Sequence, residues 1–209
     1  MNELFEQAKV FLKSKIMGST TFDEIEKQYR YDHTMRVTKI GLEIAKQEGL
    51  DRLIVGLGCI LHDCAKLEEV ANIDHGRLSA NVARPFLETL DLTTKQVDDI
   101  CYAIAVHVDG VAGYDYPNFL EAEVVSDADN IDRFGIYRIY QELSWKKIET
   151  LSIHDQISYV QKRIAGLNRL LNEHKLATPT SNRLFSNNLK AQISFFEALL
   201  KELNTTLEV

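Results

Sequence analysis

The stretch RLIVGLGCILHDCAKL, residues 52–67, decides the fold. From Leu53 to Leu61 it carries only Leu, Ile, Val, Gly and Cys. A helix of that composition is apolar all round and must be buried. Asp51 stands where an N-cap is needed. Near the end of the run two polar residues, His62 and Asp63, interrupt it. A buried carboxylate without a partner is costly and tends to be protonated, so Asp63 requires compensation by a base, a hydrogen-bond network or a metal. Its neighbour His62 is a good ligand for a divalent metal when neutral. Adjacent helical residues diverge by about 100°. Both can therefore reach one ion only near a helix end, and the remaining ligands must come from other helices.

Working outward, the flanking segments are also helical. Upstream, Val37, Ile40 and Ile44 recur at helical spacing between about Tyr31 and Gln47, and Gly49 marks the end of that pattern. His33 lies four residues before Val37, on the inward stripe. Before it, Leu4, Phe5, Ala8, Phe11, Leu12 and Ile16 form another helical stripe, broken at Gly18-Ser19-Thr20. Downstream, a loop is expected around Asn72 to Gly76, then a helix from about Leu78 to Leu90 with a kink or early break at Pro85. Thr93 or Thr94 can cap a helix running through Val97, Ile100 and Ile104 to His107. The stretch DGVAGYDYPN, residues 109–118, is rich in turn residues. Asn118 is a candidate cap for a helix through EAEVVSDADNIDRFG, residues 121–135. Two helical patterns close the chain, about Asp155 to Lys175 and Asn182 to Asn204, separated by Thr178-Pro179-Thr180-Ser181. With three prolines and ten glycines in 209 residues and no convincing strand pair, the expected class is all-α.

Composition narrows the function. The net charge is −7, which argues against a partner in nucleic acid, since binding there is driven by neutralising phosphates with basic side chains. An acidic protein that handles anionic substrates often uses a metal cation to offset the repulsion. The three cysteines, Cys59, Cys64 and Cys101, form neither a disulfide framework nor a C-x-x-C knuckle, and Cys59 and Cys64 read as buried small hydrophobes. The N-terminus is amphipathic and no apolar run approaches a membrane span. The expectation is a reduced, cytoplasmic protein with no membrane partner.

His33, His62, Asp63 and Asp129 are thus the candidate ligands, two histidines and two carboxylates. That mixed set suits Mn, Fe, Mg, Co or Ni, and can also hold Zn. Lys66 lies one turn after His62 and could pair with a substrate phosphate; a solvated Lys near a helix C-terminus is the plain alternative. Arg36, one turn after His33, could bind phosphate or orient an acid.

The order His33, then His62-Asp63, then Asp129 resembles the HD superfamily of metal-dependent phosphohydrolases. The strings that carry the likeness are YDHTMRV (31–37), GCILHDCAK (58–66) and SDADNID (126–132). The resemblance implies a single HD-type domain over 1–209. Its helical-bundle core covers about 28–140, with a C-terminal helix pair over about 150–209 that is similar to that of small bacterial members. Within SDADNID it favours Asp129 over Asp127 and Asp132. It implies cleavage of a phosphoester or phosphoanhydride, in a nucleotide, by a water whose pKa the metal lowers. Asp63 and Lys66 would be the catalytic residues, and Lys66 and Arg36 would bind substrate. Some members add two histidines and a second metal, which His75 and His107 could hold with Asp63 bridging; phosphate or capping contacts at the two helix ends are the alternative. The loop Tyr114-Asp115-Tyr116-Pro117 echoes the HD-GYP signature, but Val106-His107-Val108-Asp109-Gly110 lacks its second His and its Glu, which speaks against cleavage of cyclic dinucleotides. Two rival functions remain: a di-iron oxygenase of the same fold, and a non-catalytic nucleotide-binding sensor. Partners are confined to a small phosphorylated substrate and a possible homodimer. His154 and His174 read as surface residues.

Overall fold

In a computed structural model, which describes residues 1–66 and 74–207, the stripe read at the N-terminus becomes α1 (Asn2–Gly18), with Phe5, Ala8, Leu12 and Ile16 buried. Next comes α2 (Glu24–Glu48), seven residues earlier than its apolar stripe suggests. Its opening turns are polar, and Asp23 caps them by accepting from the Glu26 N–H at 2.9 Å. The pairs Lys27–Glu24 and Arg30–Glu26 reinforce them at 2.9 Å each. Gly49, at φ 71°, ends the helix in the left-handed conformation that glycine adopts without strain.

The decisive segment forms α3 (Arg52–Leu61), capped by Asp51. From Ile54 to Leu61 every residue is buried. This helix is the hub of the first compact unit, Met1–Asp132, and packs on α1, α2 and α5. Small residues permit the close approach: a Cβ on Gly58 would sit 2.8 Å from Val125 Cγ2, and one on Gly41 would sit 2.5 Å from Cys59 Sγ.

The rest of the unit is α4 (His75–Leu87), α5 (Thr94–Val106) and α6 (Leu120–Arg133). Asn72 and Ile73, from the loop expected before α4, lie outside the described residues; Gly76 is already helical. Pro85 falls in the last turn of α4, two residues before its end, where an early stop was expected. Thr93 caps α5 in a reciprocal box with Gln96. At α6 the helix starts at Leu120, and Asn118 instead donates from Nδ2 to Glu123. The Asp51 N–H donates to Glu121 at 3.1 Å, tying the start of α3 to that of α6.

The second unit, Arg133–Val209, holds α7 (Ile136–Lys146), a 3₁₀ turn (Ile148–Thr150), α8 (Ile153–Glu173) and α9 (Pro179–Leu207). The sequence patterns assign no element to α7, whose only buried side chains are Ile139 and Gln141. Pro179 opens α9 three residues before the expected start, at the position proline tolerates best. α8 and α9 pack together around Val160, Leu167, Leu189 and Phe196, all fully buried. No strand occurs among the described residues, and no described helix is long and apolar enough to cross a membrane. His154 and His174 are exposed, and the three cysteines are buried and take part in no disulfide among the described residues.

Candidate metal centre

α3 ends at Leu61, so His62 and Asp63 begin the turn that leaves it, the one place where adjacent residues can face one point. That turn is anchored on α4: the Ala65 N–H donates to Ser79 Oγ at 3.2 Å and the Cys64 thiol to the Ser79 carbonyl at 3.4 Å. His62 is buried at 1 % exposure. Its Nδ1–H donates to the Cys59 carbonyl at 2.7 Å, which fixes the tautomer and leaves the Nε2 lone pair aimed inward. Burial first of all holds this imidazole neutral, with its pKa lowered to about 4.

Four helices complete the cluster. His33 comes from mid-α2, Asp129 from α6, and His33 Nε2 stands 3.2 Å from Asp129 Oδ1. Asp63 lies between two sets of imidazoles. Its Oδ2 is 3.7 Å from His62 Nε2 and 3.9 Å from His33 Nε2. Its Oδ1 is 3.1 Å from His75 Nε2 and 3.7 Å from His107 Nε2. His75 is the first residue of α4 and His107 caps the end of α5. Gly76 brings these two together: a Cβ there would sit 2.8 Å from the Ala105 carbonyl oxygen. The His107 Nδ1–H donates to the Ile104 carbonyl at 2.7 Å, as His62 does to Cys59.

The electrostatics follow from this crowding. Burial alone would push the Asp63 carboxyl up, but the imidazoles of His62, His107 and His75 pull it well below the usual carboxylate range. Asp129 is likewise opposed by burial and held down by His33 and His62. Burial works against a charged His33 too, yet its hydrogen bonds to Asp129 and Asp132 outweigh this and raise it to about 9.

Do these residues fit a cation? His62 Nε2 and Asp63 Oδ1 are fully buried without an aligned hydrogen-bond partner, which is costly unless a ligand satisfies them. His33, His62 and Asp129 form one group of donors mutually within 4.8 Å, and His62, Asp63 and His107 form a second. Donors about 2.1 Å from one ion lie roughly 3 to 4 Å apart, and the separations of 3.2 Å between His33 and Asp129, 3.7 Å between His62 and Asp63 and 3.9 Å between His33 and Asp63 fall in that range.

The other expected residues are placed as follows. Lys66 Nζ donates to His75 Nδ1 at 2.9 Å, at the edge of the cluster. Arg36 turns to Asp132, donating from Nε to Oδ1 at 2.8 Å and from Nη2 to Oδ2 at 3.1 Å. Two residues enter that the ligand pattern does not single out. Asp132 is buried and accepts from His33 Nδ1 at 2.7 Å, so it orients that ring from behind. Arg30, one turn before His33, brings Nη1 to 3.7 Å from Asp63 Oδ2. Its i, i+3 spacing to His33 is the signal that could have found it.

A family model described as the HD domain matches residues 30–133. Among solved structures the chain is similar to an HD superfamily hydrolase from Bacillus thuringiensis, at 18 % identity and TM-score 0.70, covering 97 % of this chain and 98 % of that one. It is similar to Bacillus subtilis YpgQ in complex with ADP, at 21 % identity and TM-score 0.68, covering 97 % of each. A predicted HD superfamily hydrolase from an uncultured Thermotogales bacterium matches at 19 % identity and TM-score 0.64, over 91 % and 90 % of the two chains. These likenesses concern the fold. No curated protein matches the chain.

Proposed function

The chain belongs to the HD domain family, and from that premise we propose that it is a metal-dependent phosphohydrolase cleaving a phosphoester or phosphoanhydride of a nucleotide. The observation that carries this reading is the pair of donor groups that share His62, one with His33 and Asp129 and the other with Asp63 and His107, with Asp63 Oδ2 3.7 Å from His62 Nε2 and 3.9 Å from His33 Nε2. When bound, a divalent ion supplies positive charge that acidifies water and offsets charge developing on phosphate oxygens.

The chain's own residues do the remaining work. His62 presents its Nε2 lone pair because Nδ1–H is held by the Cys59 carbonyl. Asp132 fixes the ring of His33. Asp63 reaches toward two positions, one with His33 and His62, the other with His75 and His107. A carboxylate held so far below its usual range is a weak base, so the part proposed for Asp63 is charge and orientation rather than proton abstraction. Lys66, at the edge of the cluster, is assigned the substrate phosphate. Arg36 is engaged with Asp132, so its contribution runs through that carboxylate. The ADP in the Bacillus subtilis structure puts nucleoside phosphates first among substrates to try.

The test is elemental analysis of the purified protein, then a nucleotide panel assayed with the metal found. Asp63→Ala and Asp129→Ala are expected to lose activity by at least about tenfold. Full activity in both variants overturns the assignment.

One observation favours a second reading. With His75 and His107 facing the free side of Asp63, the cluster has the ligand count of a dinuclear site, which the di-iron oxygenase function would need. Two irons per chain with oxygen-dependent turnover and no phosphate release would select it.

A further inference from the structure

The outer face of α1 carries its charges in order. Phe5, Ala8, Leu12 and Ile16 take one side of the helix into the core. On the other side Glu3, Glu6, Gln7, Val10, Lys13 and Ser14 are all exposed. At 100° per residue they fall within about 60° of Val10. The acids stand before Val10 and the base after it. Beside the acidic half lies a groove of about 460 Å³, lined by Glu3, Glu6, Gln7, Val10 and Phe11 of α1 and by Phe86 of α4. Phe11 and Phe86 stack there, with ring centroids 4.3 Å apart and the planes 10° from parallel. Val10 is 71 % exposed. A single exposed valine needs no explanation. A valine next to an open aromatic groove, between an acidic and a basic half, is a knob and a hole on one helix.

Such a face complements itself when a second copy is turned end for end about a two-fold axis at Val10. A residue before Val10 then meets one equally far after it, on the same flank. Glu6 lies about 6 Å before Val10 along the helix axis and Lys13 about 4.5 Å after it, at about 40° and 60° round the same side. The Glu6 carboxylate therefore meets the Lys13 ammonium of the second copy, and the symmetry makes this pair twice. Gln7 meets Ser14 on the opposite flank, and Val10 meets Val10 at the axis. A parallel arrangement would instead set Glu6 level with Glu6 and Lys13 level with Lys13. Lys9 already stands 2.7 Å from Glu6 within the helix, but both side chains are open to water. An exposed pair of that kind exchanges partners at little cost.

We propose that this face of α1 docks on the same face of a second copy of the chain, antiparallel, with Val10 at the two-fold axis and Glu6–Lys13 pairs on the flanks. One helix face is small for an interface, which puts the dimer in the weak class, with a Kd on the order of 10 µM. Association through α1 is independent of the chemistry at the metal centre.

The test is sedimentation velocity on the 209-residue chain from about 1 to 300 µM. The mass is expected to rise from 23.9 kDa toward twice that value. Val10→Glu sets two carboxylates against each other at the axis and should weaken association by at least about tenfold. Glu6→Lys and Lys13→Glu should each do the same on its own by bringing like charges together. Both positions are exposed, so these variants are expected to fold normally. Mixed in equal amounts, the two charge variants should associate within about threefold of the unchanged chain, since only the mixed dimer has opposite charges on both flanks. A monomer at about 300 µM overturns the proposal. So does a dimer that Val10→Glu leaves intact, or a pair of charge variants that gains nothing from mixing.

Discussion

Replacing Asp132 by Asn should loosen the metal far more than a peripheral change would. Asp132 is buried, and its two oxygens accept three charge-assisted hydrogen bonds, from His33 Nδ1 and from Nε and Nη2 of Arg36. Asn keeps the shape but has one accepting oxygen, so at least one of those donors loses its partner. Arg36 is 31 % exposed and can rehydrate in part, whereas His33 at 3 % cannot. The cost to the metal-free protein is therefore that of one hydrogen bond to a charged group, about 1.5–3 kcal/mol, below the figure for breaking a fully buried ion pair. A signature of similar size is in affinity. A ligand imidazole that loses its rear carboxylate loses orientation and basicity, typically about 10–100-fold in metal binding. Calorimetric titration with Mn²⁺ or Ni²⁺ reads this directly, and chemical denaturation of the metal-free protein reads the stability. A protein that loses stability while its folded fraction binds metal within about twofold of the unchanged chain would refute the argument, because Asp132 would then be a structural partner of Arg36 only.

Other outcomes follow from the same geometry. His33 retains its proton up to about pH 9 while His62 is neutral above about pH 4, so a metal entering near neutral pH must displace one proton. The apparent affinity should rise about tenfold per pH unit between pH 6 and pH 8 and level off near 9; a flat profile argues against His33 as a ligand. The sign for stability is the reverse in the metal-free protein: a pKa raised in the fold contributes below the unfolded value of 6.5 and is lost as pH rises through about 9. Denaturation midpoints without metal should register that share as a decline across this window. Gly76→Ala places a Cβ 2.8 Å from the Ala105 carbonyl oxygen, which backbone cannot avoid cheaply. It should cost about 1–3 kcal/mol and weaken any second metal at His75 and His107 before the first, seen as a stoichiometry falling toward one ion per chain. Lys66→Ala should raise KM for a nucleotide by about tenfold with metal affinity little changed; unchanged KM removes Lys66 from the phosphate.

What the sequence could announce, and what it could not, divides along a physical line. His62 and Asp63 are legible because each is a misfit where it stands: a carboxylate and an imidazole in a run of Leu, Ile, Val and Cys create a demand that something must answer. His33, on an apolar stripe, and Asp129, after Val124, Val125 and Ala128, raise the same demand more quietly. Boundaries are less legible where polar turns are stabilised one contact at a time, as at the start of α2, where the Asp23 cap and two ion pairs replace an apolar stripe. α7 escapes because burying only Ile139 and Gln141 leaves no period to read. The pairing of Asp132 with Arg36 is harder still. Arg36 can be read as a residue that orients an acid, but not which acid, since the two are 96 residues apart in the chain and Asp132 sits where a charged residue on a helix face needs no explanation. Neither is a misfit alone; their importance exists only once α2 and α6 face each other and His33 stands between them. A residue that answers another residue's need leaves no mark in its own surroundings, so supporting shells are found by geometry, even where the ligands they support can be read from spacing.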